Sequence, residues 1–146
     1  IIINKSGNSA VVERLDANEK VEGASTIARS RNRKIMSDLH RKEVIFEGGI
    51  PSFDTTEIHK YLKKVDGWDV KSDNDKNYYL TKEFKFNNFL ESQSFVNKIG
   101  EIAETEKHHP DIWFGWGYAK IKIFTHAING LHESDFVLAA KIDKVS

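Results

Sequence analysis

Two adjacent histidines, His108 and His109, stand where a long helical pattern ends, and Pro110 forbids the helix from continuing. A carboxylate, Glu104, precedes them by about one helical turn. A third imidazole, His126, follows a strand-like run, and Asp135 comes nine residues later. An imidazole holds or releases a proton cheaply near neutral pH, because its unperturbed pKa is about 6.5. A reaction that expels hydroxide from one atom and takes a proton from its neighbour needs an acid on one side and a base on the other. Histidines held at a helix end, with a stiff proline behind them, can supply both from a preorganised position.

Other chemistries fit these residues less well. Adjacent histidines point in different directions, and neither a His-Glu-x-x-His pair nor Cys/His spacing is present, so a metal site is not expected. With no cysteine in the chain, thiolate nucleophiles, disulfides and Cys-ligated zinc are excluded. No nucleophile elbow marks a serine hydrolase. Taken singly, Glu104 reads as the solvated last turn of a helix, and Asp135 as a first-turn acid favoured by the helix dipole. Trp113, Phe114 and Trp116 read first as core, though one could stack on a flat ligand. His40, His59 and His132 read as structural or surface residues.

The elements that would position these groups follow from periodicity. Asp54 or Thr55 caps a helix with Ile58, Tyr61, Leu62 and Val65 on its apolar stripe, ended by Gly67. A strand begins at Trp68. A turn at Asp73, Asn74 and Asp75 leads to a return strand over residues 77–86. Asn87 or Asn88 caps the clearest amphipathic helix, with Phe89, Phe95, Val96, Ile99, Ile102 and Ala103 in one half of its circumference. It runs to about Lys107. A second hairpin joins residues 112–114 to residues 118–125 through Gly115, Trp116 and Gly117, with Ala119, Ile121 and Ile123 facing the core. A final helix spans residues 133–145. The order α-β-β-α-β-β-α predicts an α+β fold: one four-stranded antiparallel sheet with helices packed on one face.

Residues 1–46 read as an N-terminal extension, partly helical or flexible, and residues 47–146 as the main domain. A chain that starts with Ile reads as trimmed or as part of a longer product. Residues 11–15 suggest a short strand or helical turn. Residues 29–42 are basic, with Ile35, Met36 and Leu39 at helical spacing, and read first as an amphipathic helix with a solvated face. The 146 residues suffice for one domain with a real core, and the formal net charge is zero. That balance argues against a nucleic-acid partner. It is compatible with self-association. No apolar run approaches the length of a membrane span, so no membrane partner is expected, and the composition fits a cytoplasmic protein.

The combined pattern resembles the pterin-4a-carbinolamine dehydratases. It comprises Glu104, the His108-His109-Pro110 run, Thr125-His126 after a strand, and Gly130-Leu131 leading to Asp135 and an apolar helix with Leu138-Ala139. Gly67-Trp68 and Phe84-Lys85-Phe86 followed by Phe89 also fit. The resemblance covers roughly residues 51–145, and residues 1–46 lie outside it. It implies loss of water from a 4a-hydroxytetrahydropterin to give the quinonoid dihydropterin, in tetrahydrobiopterin recycling, without metal or cofactor. It implies a homodimer or homotetramer, and in animals a second role as a dimerisation partner of a transcription factor. By the same resemblance His108, His109, His126, Glu104 and Asp135 are the catalytic candidates. Pro110, Thr125, Ala127 and Ile128 join the three histidines as substrate contacts. This chain departs from the pattern at Lys107, where many members are acidic, at Trp116, often Tyr, and at His132, usually a Ser or Thr cap. Lys107 is expected to alter the pH dependence of proton transfer beside it.

Overall fold

A computed structural model describes residues 38–45 and 49–146. The expectations for residues 1–37, including the segment 11–15 and most of the basic helix, lie outside the described residues. Within that helix's expected span, residues 38–40 are helical.

The elements are α1 (Thr55–Leu62), β1 (Asp69–Ser72), β2 (Tyr78–Lys85), α2 (Phe89–Glu106), β3 (Asp111–Gly115), β4 (Tyr118–Ile123) and α3 (Glu133–Val145). The strands form one antiparallel sheet in the order β1-β2-β4-β3. The α-β-β-α-β-β-α order and the four-stranded antiparallel sheet expected from the sequence are therefore present.

Register explains the single covered face. Leu80 pairs with Ile123, and Phe84 with Ala119. These residues and Ile121 are buried in one core with Phe95 and Ile99 of α2 and Phe136, Leu138 and Ile142 of α3. On the other face Glu83, Lys85, Tyr118 and Lys120 are exposed. That alternation is what one dry and one wet face requires. Phe136 is fully buried. Truncating such an aromatic to alanine costs about 3–5 kcal/mol.

Two helices begin on the side-chain caps read from the sequence. Asp54 accepts from the Glu57 N–H, and Asn88 from the Glu91 N–H, each at 2.9 Å. The end of α1 differs from expectation. The helix closes at Leu62, not at Gly67. The Lys64 and Val65 N–H groups then bond three residues back, to Tyr61 and Leu62, which tightens the chain into turns and still buries Val65. Gly67 serves the turn into β1, at a φ of 70°. The buried face of α2 is also more polar than its pattern. Phe89 remains 44% exposed, whereas Glu91 and Ser92 are buried. Glu91 reaches back to the Asn87 N–H at 2.8 Å, and Ser92 donates to the Asn88 carbonyl, so local helix-start bonds satisfy both.

Among the described residues, no helix is long and apolar enough to cross a membrane.

Candidate functional site

Helix α2 ends by an abrupt change of hand. Lys107 takes the left-handed conformation, φ 54°, and the His108 N–H returns to the Ala103 carbonyl at 3.1 Å. This is the usual way to satisfy the last carbonyls of a helix, though glycine is the usual residue there. The turn throws the two histidines in different directions. His108 goes into the protein and is 4% exposed, while His109 stays at the surface.

Asp135, on the first turn of α3, is fully buried. Its Oδ1 lies 2.7 Å from His108 Nε2. The Thr125 hydroxyl donates to both carboxylate oxygens, at 3.0 and 2.9 Å. The His132 backbone N–H donates to Oδ2 at 2.8 Å. A carboxylate that accepts all these bonds requires the proton of His108 on Nε2, which fixes the tautomer. The end of α2, the exit of β4 and the start of α3 thus meet on one side chain. Asp135 also serves as the N-terminal box of α3, where His132 stands in place of a hydroxyl cap.

The second pair is exposed. His109 Nε2 lies 2.7 Å from Glu104 Oε1, one turn back on α2, and both side chains are more than half exposed. Glu104, His109, Pro110 and Ile112 line an open groove of about 730 Å³ along α2.

His126 opens a 3-10 turn, His126–Ile128, that also carries Ala127 and Ile128. Thr125 and Gly130 bond to each other across this loop, at 2.9 and 3.4 Å, and Asn129 takes a left-handed φ of 48°. A Cβ on Gly130 would meet the Ser52 Cβ at 2.8 Å, so the close crossing requires glycine. His126 and Ala127 are exposed, and the His126 ring lies against Phe124, centroids 4.1 Å apart. Its link to His108 runs through the chain: Thr125, one residue earlier, is bound to Asp135.

The other histidines sit elsewhere. His59 is exposed, with Nδ1 2.6 Å from the Thr55 carbonyl. His132 packs its ring on Phe53. His40 has a buried Nδ1 without a hydrogen-bond partner among the described residues. Burial first, then Lys144, Arg41 and Lys141, hold its imidazole below the ordinary value. Among the described residues no group of three or more His, Cys, Asp or Glu side chains could hold a metal ion.

The family resemblance implies Thr125 only as a substrate contact, and its hydrogen bonds to Asp135 had no sequence signal. Nor did those of Glu106, whose carboxylate receives Lys141 of α3 and, at 3.2 Å, the Val44 N–H. Nothing local marks partners so distant along the chain.

Residues 51–145 match the family described as pterin 4 alpha carbinolamine dehydratase. A relative from Rubrobacter xylanophilus, named "Putative pterin-4-alpha-carbinolamine dehydratase", is 46% identical over 111 residues, 75% of this chain and all of that one. One of the same name from Alkaliphilus metalliredigens is 48% identical over 111 residues, 75% of this chain and 96% of that one. Alignments of that length reach ahead of residue 51. A solved structure from Brucella melitensis, described as a transcriptional coactivator/pterin dehydratase, superposes with a TM-score of 0.58 at 26% identity, covering 64% of this chain and 97% of that one. By sequence match over most of its length and by fold, the chain belongs to the pterin 4 alpha carbinolamine dehydratase family, a family of hydro-lyases.

Proposed function

We propose that the chain removes water from 4a-hydroxytetrahydropterin to give quinonoid dihydropterin, as a step of tetrahydrobiopterin recycling. In that reaction the C4a–O bond breaks as an acid protonates the leaving hydroxyl. A base takes the N5 proton, and the C4a–N5 double bond forms. His108 and His126 are the proposed proton-transfer groups, and His109, paired with Glu104, is the proposed further donor or acceptor beside the pterin. Asp135 orients His108. Pro110, Thr125, Ala127 and Ile128 are proposed to contact the substrate. The observation that carries the reading is the buried bond between His108 Nε2 and Asp135. Burying an ionisable pair is costly, and an imidazole with one nitrogen fixed is a preorganised acid or base.

The test is the dehydration rate of chemically generated 4a-hydroxytetrahydropterin with and without the protein. His108→Ala and His126→Ala should each lower the catalysed rate by about 10²-fold or more. Rates equal to wild type in both variants refute the assignment.

A homo-oligomer is part of the proposal. β3 lies at the sheet edge, Trp113 and Phe114 are exposed on it, and Trp116 is exposed in the turn that follows. An edge strand with large apolar side chains exposed favours pairing with another strand. Sedimentation at micromolar concentration should show a dimer or tetramer, and a monomer would remove this part. Cytoplasmic action belongs to the same reading.

The solved relative described as both coactivator and dehydratase favours a second reading, a non-catalytic dimerisation module for a helical partner. Binding of such a partner that survives both histidine substitutions, with no dehydration by the wild type, would favour it.

A further inference from the structure

Residues 38–45 lie on the domain. Leu39 is 3% exposed and belongs to the main core, and Val44 packs against that core. Lys42 pairs with Glu133 at the start of α3. The Val44 N–H donates to Glu106, the last residue of α2, whose other carboxylate oxygen receives Lys141 of α3. The Glu106 side chain is 15% exposed. Burial alone would push its carboxyl up. The bonds from Lys141 and the Val44 N–H outweigh that and hold it below the ordinary value.

Glu106 and His108 flank the left-handed turn at Lys107. Each is tied to α3, Glu106 through Lys141 and His108 through Asp135. The turn is therefore fixed on both sides, and the first of these ties is shared with the segment 38–45. Lys107 is an unfavourable residue for this conformation, so the turn depends on its neighbours to hold it.

We propose that residues 38–45 are a strap that holds the His108 turn in register with α3, and that Glu106 is a positioning residue acting through His108. This rests on the reading of His108 as a proton-transfer group. Losing the Glu106 tie frees one side of the turn while leaving the His108–Asp135 pair in place. The imidazole then spends less time in its productive position, and misplacement by a fraction of an ångström is costly to proton transfer.

The experiment compares the full chain with Glu106→Gln, Val44→Pro and Val44→Ala. Val44→Pro removes the donated N–H, whereas Val44→Ala keeps it and loses only apolar contact. Two quantities are read on each folded variant: kcat and KM for dehydration, and hydrogen exchange of the His108 backbone amide. Glu106→Gln and Val44→Pro should each lower kcat by about 10-fold with KM little changed, and speed His108 exchange by about 10-fold. Val44→Ala should leave both near wild type. Should Val44→Pro fail to fold, Glu106→Ala, which removes both ties, is compared with Lys141→Met, which removes only the tie to α3; equal His108 exchange in the two would overturn the strap. Wild-type His108 exchange in Glu106→Gln, or equal losses in Val44→Ala and Val44→Pro, would overturn the strap. Exchange needs no substrate. A wild type that dehydrates no pterin would sink the proposed function and leave the strap to be judged on exchange.

Discussion

Asp135→Asn separates the charge of the buried carboxylate from its shape. An amide offers one accepting oxygen and one donating nitrogen in place of two acceptors. The His132 backbone N–H, 2.8 Å from Oδ2, can only donate. The amide oxygen must therefore take the Oδ2 position, where the Thr125 hydroxyl also reaches it at 2.9 Å. The amide nitrogen is left facing His108 Nε2 at 2.7 Å. Two donors cannot share that contact, so the substitution works against a proton on His108 Nε2 and toward the inverted tautomer, with the three neighbours kept in place. Replacing charge-assisted bonds with neutral ones, in a site closed to water, costs about 1–3 kcal/mol. For a domain of this size that lowers Tm by roughly 5–15 °C. The loss in kcat should be far larger, about 10²–10⁴-fold, as is typical when a catalytic imidazole is held in the wrong tautomer. The measurements are thermal denaturation, dehydration kinetics and the ¹⁵N pattern of the His108 ring. A rate within threefold of wild type, together with an inverted tautomer, would show that the position of the Nε2 proton does not matter and would refute the reasoning.

Other consequences concern stability. Lys107→Gly relieves a left-handed residue with a side chain, so it should stabilise the fold by about 0.5–1 kcal/mol in denaturant titrations. No gain would mean that the turn is unstrained. Lys82 donates to Asp143 at 2.8 Å, and the Trp68 indole N–H donates to the same carboxylate at 3.1 Å. Lys82→Met takes away the cation and leaves that carboxylate the Trp68 indole N–H. It should cost about 3 kcal/mol, the low end for a buried pair, because a fifth of the Asp143 side chain still meets water. Burial pushes the Asp143 carboxyl up against the pull of Lys82 and Trp68. A raised acid binds its proton more tightly in the folded state than in the unfolded one, so this group favours folding more as pH falls. The stability of the wild type relative to Asp143→Asn should therefore improve as pH falls toward the ordinary carboxylate range, and a difference independent of pH would contradict the sign. Glu106 acts in the opposite sense. Its carboxyl is held low, so its contribution is full above the ordinary carboxylate range and is lost as acid protonates it in the folded state.

Much of this molecule is written locally. The caps at Asp54 and Asn88, the alternation of Ala119, Ile121 and Ile123, and the glycine-bearing hairpin before Tyr118 each concern residues within a few positions of one another. Hydrogen-bond geometry and side-chain period act within each such segment, which is why the element order could be read from the chain. Some local readings yielded to packing. The Gly67 stop gave way to turns that bury Val65, and Phe89 lies largely exposed at the start of α2, against Phe114, while Glu91 and Ser92 are buried. The candidate residues were legible as types: histidines at a helix end, a later histidine, and acids near both. Their partnerships were not. His108 and Asp135 are 27 residues apart, and Val44 and Glu106 are 62 apart. No propensity or period acts over such distances. Only the close approach of α2 to α3 chose which acid would be buried with an imidazole, and which would stay in water beside His109.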